Sequence, residues 1–244
     1  MGKIIDRGHY VAAPLPSDAV LVADGLSRED VLVFHPGGAS VVSVGGQAAG
    51  RFSTGSPVAY ILEKNAVLRL SVLVFPGADM DLPLSIDLVG EGSSATVSAA
   101  FLCTGSQKVS FRVEMRHRVG GCTSRQLFNG ILSDNARSSF DGRIVVAPDA
   151  MQTKACQENH NILLSAGARA ETRPQLEIYA DDVECSHGAT VGSLDDNALF
   201  YMRSRGIPEA EARRLQLVSF LSPVLADVPA ALRDEYLEAL RGMV

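Results

Sequence analysis

PQLEIYADDVECSHGATVGSLDDNALFYMRSRG, residues 174–206, is where one kind of sequence gives way to another. It holds an apolar strand, an acidic turn at Asp181 and Asp182, a strand carrying Cys185 and His187, and the start of a helix. Upstream the chain reads as short strands, and downstream it reads only as helices. Any chemistry is expected at this junction.

Working back from it, VAYILEKNAVLRLSVLVF, LPLSIDLVG, ATVSAAFLC, KVSFRVEMRHRVG, TSRQLFNGIL, SSFDGRIVV, QTKACQENHNILLS and PQLEIYA all carry strand patterns. Several alternate with period two, so every second side chain faces one core. In KVSFRVEMRHRV, Val109, Phe111, Val113 and Met115 share one face, and Lys108, Ser110, Arg112, Glu114 and Arg116 share the other. Small polar corners ending in Ala136, Ala150, Ala168 and Val183 recur at steps of 14, 18 and 15 residues. Such regular spacing, with no helices between strands, favours strands stacked in coils over a βαβ sheet. The prediction is a mainly β fold, a parallel β-helix; a Greek-key sandwich is the runner-up. Unpaired strands at the ends of a solenoid invite pairing with another subunit. Residues 1–57 are the weakest part of this assignment. There DAVLVADGLSREDVLVF suggests strand, turn and strand, and HPGGASVVSVGGQ a strand leaving a tight turn.

Working forward, Ser193 is a candidate N-cap for a helix through LDDNALFYMRSR, with Gly206 as its terminating glycine. Pro208 fits the first position of a second helix, which Pro223 ends or kinks, and Pro229 opens a third. Leu217, Val218, Leu221, Val224 and Leu225 form one apolar stripe, and Leu232, Tyr236, Leu237 and Leu240 another. The division is a β-helix core over 1–192 and a helical region over 193–244. The tail must cap the solenoid end or offer a face to a partner.

Composition narrows the function. The 244 residues are 46% hydrophobic and 20% charged, with net charge −6. An acidic chain without a Lys/Arg cluster is a poor partner for nucleic acid. No apolar run approaches the roughly 18 residues that span a bilayer, and the N-terminus lacks a signal-peptide core, so a cytoplasmic protein without a membrane partner is expected. Cys103, Cys122, Cys156 and Cys185 are dispersed without a CxxC pair, which excludes a zinc ribbon and suggests reduced thiols. GEGSSA at 90–95 matches a dinucleotide fingerprint only superficially, because a strand and not a helix follows. Neither a GxxxxGK[ST] loop nor a GxSxG elbow occurs.

Ser186 and His187 fall on opposite faces of a strand, so they cannot form a hydrolytic pair. Cys185 and His187 fall on the same face, about 7 Å apart at Cα, two strand rises. A thiolate beside an imidazole suits iron or zinc, yet two ligands are half a site and the rest must come from elsewhere, including another subunit. The plain alternative is a buried cysteine beside a hydrogen-bonded histidine. His9, His35, His117 and His160 stand alone and read as structural, and Asp181/Asp182 reads as a turn.

PQLEIYADDVECSHGATVG with LFYMRSRGI, extended back through SRQLFNGILSDNARSSFDGRIVVAPDAMQTKACQENHNILLS, resembles the SufB/SufD family of iron–sulfur cluster assembly scaffold proteins, more closely its SufD branch. The resemblance covers roughly residues 117–222. It implies a right-handed parallel β-helix followed by a C-terminal helical region, without ATPase activity of its own. It also implies pairing through the β-helix end, as a heterodimer with a SufB-like subunit or as a homodimer, and docking of a SufC-type ABC ATPase on the helices. Cys185 and His187 correspond to SufD-side residues at the interface where a nascent cluster is assembled, as ligands of iron or a transient cluster with no cofactor held stably. The docking region spans 194–222, and Leu199, Phe200, Tyr201, Arg203, Arg205, Leu217 and Leu221 are its partner-binding residues. Two departures from the SufB branch stand out: Ala168, Arg169 and Ala170 lie where SufB carries a cysteine, and Gly188 where it carries a glutamate. The chain alone therefore lacks the SufB-side ligands. It also looks like a short form without the family's N-terminal helical domain.

The expected function is a non-enzymatic SufD-like scaffold subunit. The alternatives are a carbohydrate-active β-helix enzyme, against which the absence of Trp argues, and a purely structural interaction protein.

Overall fold

Each strand is followed by a short corner that turns the chain through half a coil. The computed structural model describes residues 3–4, 12, 14–15, 19–36, 38–43, 51–52 and 57–243. Its strands are β1 (Lys3–Ile4), β2 (Val20–Val22), β3 (Ser27–His35), β4 (Gly38–Ser43), β5 (Arg51–Phe52), β6 (Val58–Leu62), β7 (Val67–Val74) and β8 (Met80–Leu88). These are followed by β9 (Ser94–Cys103), β10 (Lys108–His117), β11 (Thr123–Leu132), β12 (Arg137–Val146), β13 (Thr153–Leu163), β14 (Arg169–Ile178) and β15 (Val183–Gly192). Three helices close the chain: α1 (Asp196–Ser204), α2 (Glu209–Leu221) and α3 (Ala230–Arg241).

The strands alternate between two sheets, ordered β1-β14-β12-β10-β8-β6-β2 and β15-β13-β11-β9-β7-β3-β4-β5. Successive strands of a sheet run parallel, as Val109 beside Met80 and Phe140 beside Phe111. This is the parallel β-solenoid expected, about five coils long. One segment breaks the pattern: β3 to β4 and β4 to β5 are antiparallel, a hairpin extension at the first coil. His9 and most of the Gly-rich segment after Ser43 lie outside the described residues.

Most corners turn a small side chain inward; at the one after β9 the buried Gln107 takes that place, its Nε2 donating to Phe75 O and Ala78 O. Ala66, Ala136, Ala150 and Ala168 are all fully buried. Asn65, Asp134 and Gln152 take the left-handed backbone conformation there, with φ of 55, 55 and 58°. GEGSSA is such a corner. Strand β9 follows it, and Gly92 (φ +72°) packs where a Cβ would lie 2.4 Å from Asn65 Oδ1 of the coil before. The dinucleotide reading is thereby excluded on geometry.

Inside the coils the filling changes along the axis. The first coils are packed with Leu, Val and Ile, and a zigzag of rings crosses between the sheets: Phe101 to Phe111 at 5.3 Å, Phe111 to Phe128 at 5.1 Å, Phe128 to Phe140 at 4.7 Å. Each such pair adds about 0.5–1.5 kcal/mol beyond area burial. Beside and beyond this zigzag the inward positions turn polar, with Gln126 of β11 and Gln157, Asn159 and Asn161 of β13 buried. Pro174 stands in mid-strand, opposite Gly142. It is tolerated because β1 reaches only Glu177 and Ile178, so no ladder is described on its other side.

The helical tail does not cap the solenoid end. It lies along the flank of the second sheet, a correction to the first of the two placements expected. There Val31, Val33, Leu73, Leu102, Leu127 and Ile131, the outward side chains of β3, β7, β9 and β11, form a second apolar cluster with Leu199, Leu217, Leu221, Val224, Leu225, Tyr236 and Leu240. Strands apolar on both faces need cover on both. Two polar bonds fix the docking: Asn129 Nδ2 donates to Phe220 O (2.7 Å) and Tyr236 O–H to Val74 O (3.1 Å). Helix starts differ slightly from expectation. Asp195, not Ser193, caps α1, accepting from the Asn197 and Ala198 amides, and Pro208 is the N-cap residue of α2, not its first residue.

Candidate functional site at the open end of the solenoid

Among the described residues β15 is the last strand of its sheet, paired with β13 alone. Alternation sends Val183, Cys185, His187, Ala189 and Val191 inward and Glu184, Ser186, Gly188, Thr190 and Gly192 outward, in register with the inward and outward sets of β13. The end of the solenoid thus presents an unpaired strand edge next to the mouth of the coil interior.

Cys185 and His187 share the inward face, as expected, and both are half-buried. Cys185 packs on the main core beside Ala155. Burial pushes its thiol up to about 11, only partly offset by a hydrogen bond from the Ala155 backbone. Within this chain it is therefore a neutral thiol at pH 7, and a cation or a partner's positive charge must arrive before it becomes a thiolate ligand. Ser186 faces the opposite way and is exposed, which removes the hydrolytic pair. Among the described residues no three His, Cys, Asp or Glu side chains gather closely enough to hold a metal ion. Cys185 and His187 are two donor side chains on one face, without a third beside them among the described residues.

The interior behind them is polar, a feature the sequence reading missed. Gln126, Gln157 and His187 occupy one register column on β11, β13 and β15. Gln157 Nε2 donates to Gln126 Oε1 at 3.1 Å. Gln157 Oε1, His187 Nδ1 and the inward Thr172 Oγ1 of β14 are buried without a partner among the described residues. The alternation of QTKACQENHN carried the signal, since it puts Gln157 on the same face as Ala155.

The other titratable candidates are structural. His117 is buried with Nε2 2.8 Å from Ser124 Oγ, and burial lowers it to about 4. His160 lies outside, its Nδ1 2.9 Å from Thr190 Oγ1, and His35 stacks on Phe75 at 4.2 Å. Asp182 serves a turn, its backbone carbonyl accepting from the Gln152 backbone N–H. Cys103 and Cys122 are buried, and no described cysteine is in a disulfide. On the outer face of the same strands, Arg125, Cys156 and Ser186 stand in one register row within a shallow hollow of about 530 Å³.

The tail residues divide. Phe200 and Tyr201 are 74% and 59% exposed, Arg205 lies over the Tyr201 ring at 5.0 Å, and Arg203 pairs with Glu209 at 3.3 Å. Leu199, Leu217 and Leu221 are buried in the second apolar cluster. That corrects the expectation that these three present a surface to a partner: the flank of the sheet already occupies them.

Residues 39–220 match the profile of the family described as SUF system FeS cluster assembly, SufBD core domain. The iron-sulfur cluster assembly protein SufD of Escherichia coli (strain K12) is 39% identical over 178 residues, covering 73% of this chain and 41% of that protein. SufD of Bacillus subtilis (strain 168) is 34% identical over 143 residues, 59% of this chain and 33% of that protein. Protein ABCI7, chloroplastic, of Arabidopsis thaliana is 32% identical over 163 residues, 65% of this chain and 34% of that protein. The chain thus spans well under half the length of these relatives. With the coil topology and the profile match over most of the solenoid in agreement, the chain belongs to the SufBD core-domain family of the SUF iron–sulfur cluster assembly system.

Proposed function

We propose that the chain is a SufD-like scaffold subunit that joins a SufB-like subunit, or a second copy of itself, through the open end of the solenoid and carries a SufC-type ABC ATPase on its helical tail. One observation carries the reading: in a chain of this family, the only Cys-x-His pair faces inward on the unpaired end strand β15, with two ligands and a deficit of two. A nascent iron–sulfur cluster, the cargo and not a resident cofactor, would take its remaining ligands from the partner across that edge. The scaffold does no chemistry of its own in this reading; the ATPase supplies the motion that opens the interface. The cytoplasmic location belongs to the same proposal. No helix among the described residues is long and apolar enough to cross a membrane.

On the tail, Phe200, Tyr201 and Arg205 are the docking residues, because exposed aromatic and arginine side chains anchor interfaces. Removing everything after Gly192 would be a poor test, since it uncovers the apolar flank of the second sheet. The sharper experiment is co-purification with the ATPase and a SufB-like subunit, comparing the natural chain with Phe200→Ala/Tyr201→Ala and with His187→Ala. The double variant is expected to lose the ATPase while unfolding at the same temperature. His187→Ala is expected to keep the assembly and lose most of the reconstituted cluster. Failure of the natural chain to bind either partner would overturn the proposal.

A further inference from the structure

Three buried polar atoms, Gln126 Nε2, Gln157 Oε1 and His187 Nδ1, have no partner among the described residues and lie in a single column of adjacent strands. Isolated orphans of this kind cost about 1–3 kcal/mol each, so two of opposite sense on neighbouring strands are expected to find each other. Gln157 spends its amide N–H on Gln126 Oε1 at 3.1 Å. In this arrangement the nitrogen points back along the column, and the oxygen is left for the next strand, where His187 stands in register about 4.8 Å away at the backbone.

We propose that Gln157 is a positioning residue for His187: its Oε1 accepts the His187 Nδ1–H, which locks the ring in that tautomer and leaves the Nε2 lone pair directed to the mouth of the solenoid. A neutral imidazole binds a metal through the nitrogen that carries no proton, so the hydrogen bond at one nitrogen decides which nitrogen coordinates. Gln126 anchors the column from behind. Gln157 of β13 is in register with His187 and Cys185 lies on its own strand and face; the inward Thr172 of β14, whose buried hydroxyl is also without a partner among the described residues, is the competing acceptor. Gln157 Oε1 and His187 Nδ1 are both without a partner among the described residues, so the hydrogen bond is inferred from their shared register and their opposite sense; its consequence for cluster binding rests on the proposed function.

Imidazole 15N spectra of the natural chain at about pH 8 read the tautomer directly, with His187 assigned by its loss in His187→Ala. Nδ1 is expected at the shift of a protonated nitrogen and Nε2 at that of a bare one. Gln157→Leu is expected to move both toward the mean of the two tautomers, Gln157→Glu to restore the original pattern, and Thr172→Val to leave it unchanged. The opposite tautomer in the natural chain, no change in Gln157→Leu, or a change in Thr172→Val instead would each overturn the assignment. In the assembled complex, Gln157→Leu is expected to lower cluster retention by roughly 10-fold or more, as loss of a ligand's orienting partner does elsewhere. A tautomer change in Gln157→Leu without that loss would refute the positioning role. An unaltered cluster in His187→Ala would instead refute the proposed function.

Discussion

His117 ends β10 inside the coil, buried, bonded to Ser124 and held to about 4 by desolvation, against an ordinary value of about 6.5 in an unfolded chain. Between those two values the unfolded chain binds a proton that the folded chain refuses, so acid favours unfolding. The stability tied to His117 is complete above about pH 6.5 and falls by up to roughly 1.4 kcal/mol per pH unit toward pH 4. Urea unfolding at pH 7 and pH 5 should therefore show a steeper loss in the natural chain than in His117→Gln, which keeps a hydrogen-bonding group but cannot titrate. At this scale the sequence was legible where alternation sufficed: Val109, Phe111, Val113 and Met115 are all buried inward. It was not legible for Arg116. That side chain lies on the outer face as the pattern says, yet it is buried, with Nε and Nη2 on Asp87 at 2.9 and 2.6 Å. Asp87 is one full coil away in sequence, so only the coil length, invisible to a local pattern, brings the two charges together.

At the scale of elements, the decisive pairing is the tail on the second sheet. The runs VLRLSVLV and SATVSAAFLC lose their alternation in their second halves, where every residue is buried. That loss is the trace of helices covering the outer face, and it was present in the sequence without saying which segment provides the cover. Tyr236 of α3 is the keystone: fully buried, edge-on to Phe75 at 5.0 Å, its O–H on Val74 O. Tyr236→Phe should cost about 1 kcal/mol and Tyr236→Ala about 3–5 kcal/mol, read as shifts in the urea midpoint at unchanged slope. Helix ends proved less legible than helix faces. Ser193 and Asp195 both have capping side chains, and the choice went to Asp195, whose backbone N–H also takes Gln216 Oε1 of α2 at 3.0 Å. A tertiary contact settled what local chemistry left open.

For the whole molecule, a stack of coils is quasi-one-dimensional, so each coil is held by its neighbours and the last by one neighbour only. The regular corner spacing made that architecture readable from the sequence, whereas the partner of the open end is a property of no single chain. Among the described residues β15 has one side of its ten-residue strand unpaired, while β9 and β11 are paired on both sides. Local opening free energies should follow that order, which amide exchange resolves strand by strand. In dilute protein, peptides from β9 and β11 are expected to exchange slowest and those covering 183–192 orders of magnitude faster. If the open end is an assembly surface, a strand from outside completes the ladder, and the free N–H groups of β15 become donors in a buried sheet. Raising the concentration of the chain, or adding a SufB-like subunit, should then slow exchange across 183–192 and leave β9 and β11 untouched. Protection confined to α1 and α2 would mean that partners approach only the tail, and would remove Cys185 and His187 from any shared site. Protection of 183–192 by the second subunit but not by concentration would make the end selective for a different chain. Under the proposed function that selectivity has a reason: a second copy brings another neutral Cys185 and another His187, whereas an unlike subunit can bring thiolate and carboxylate donors.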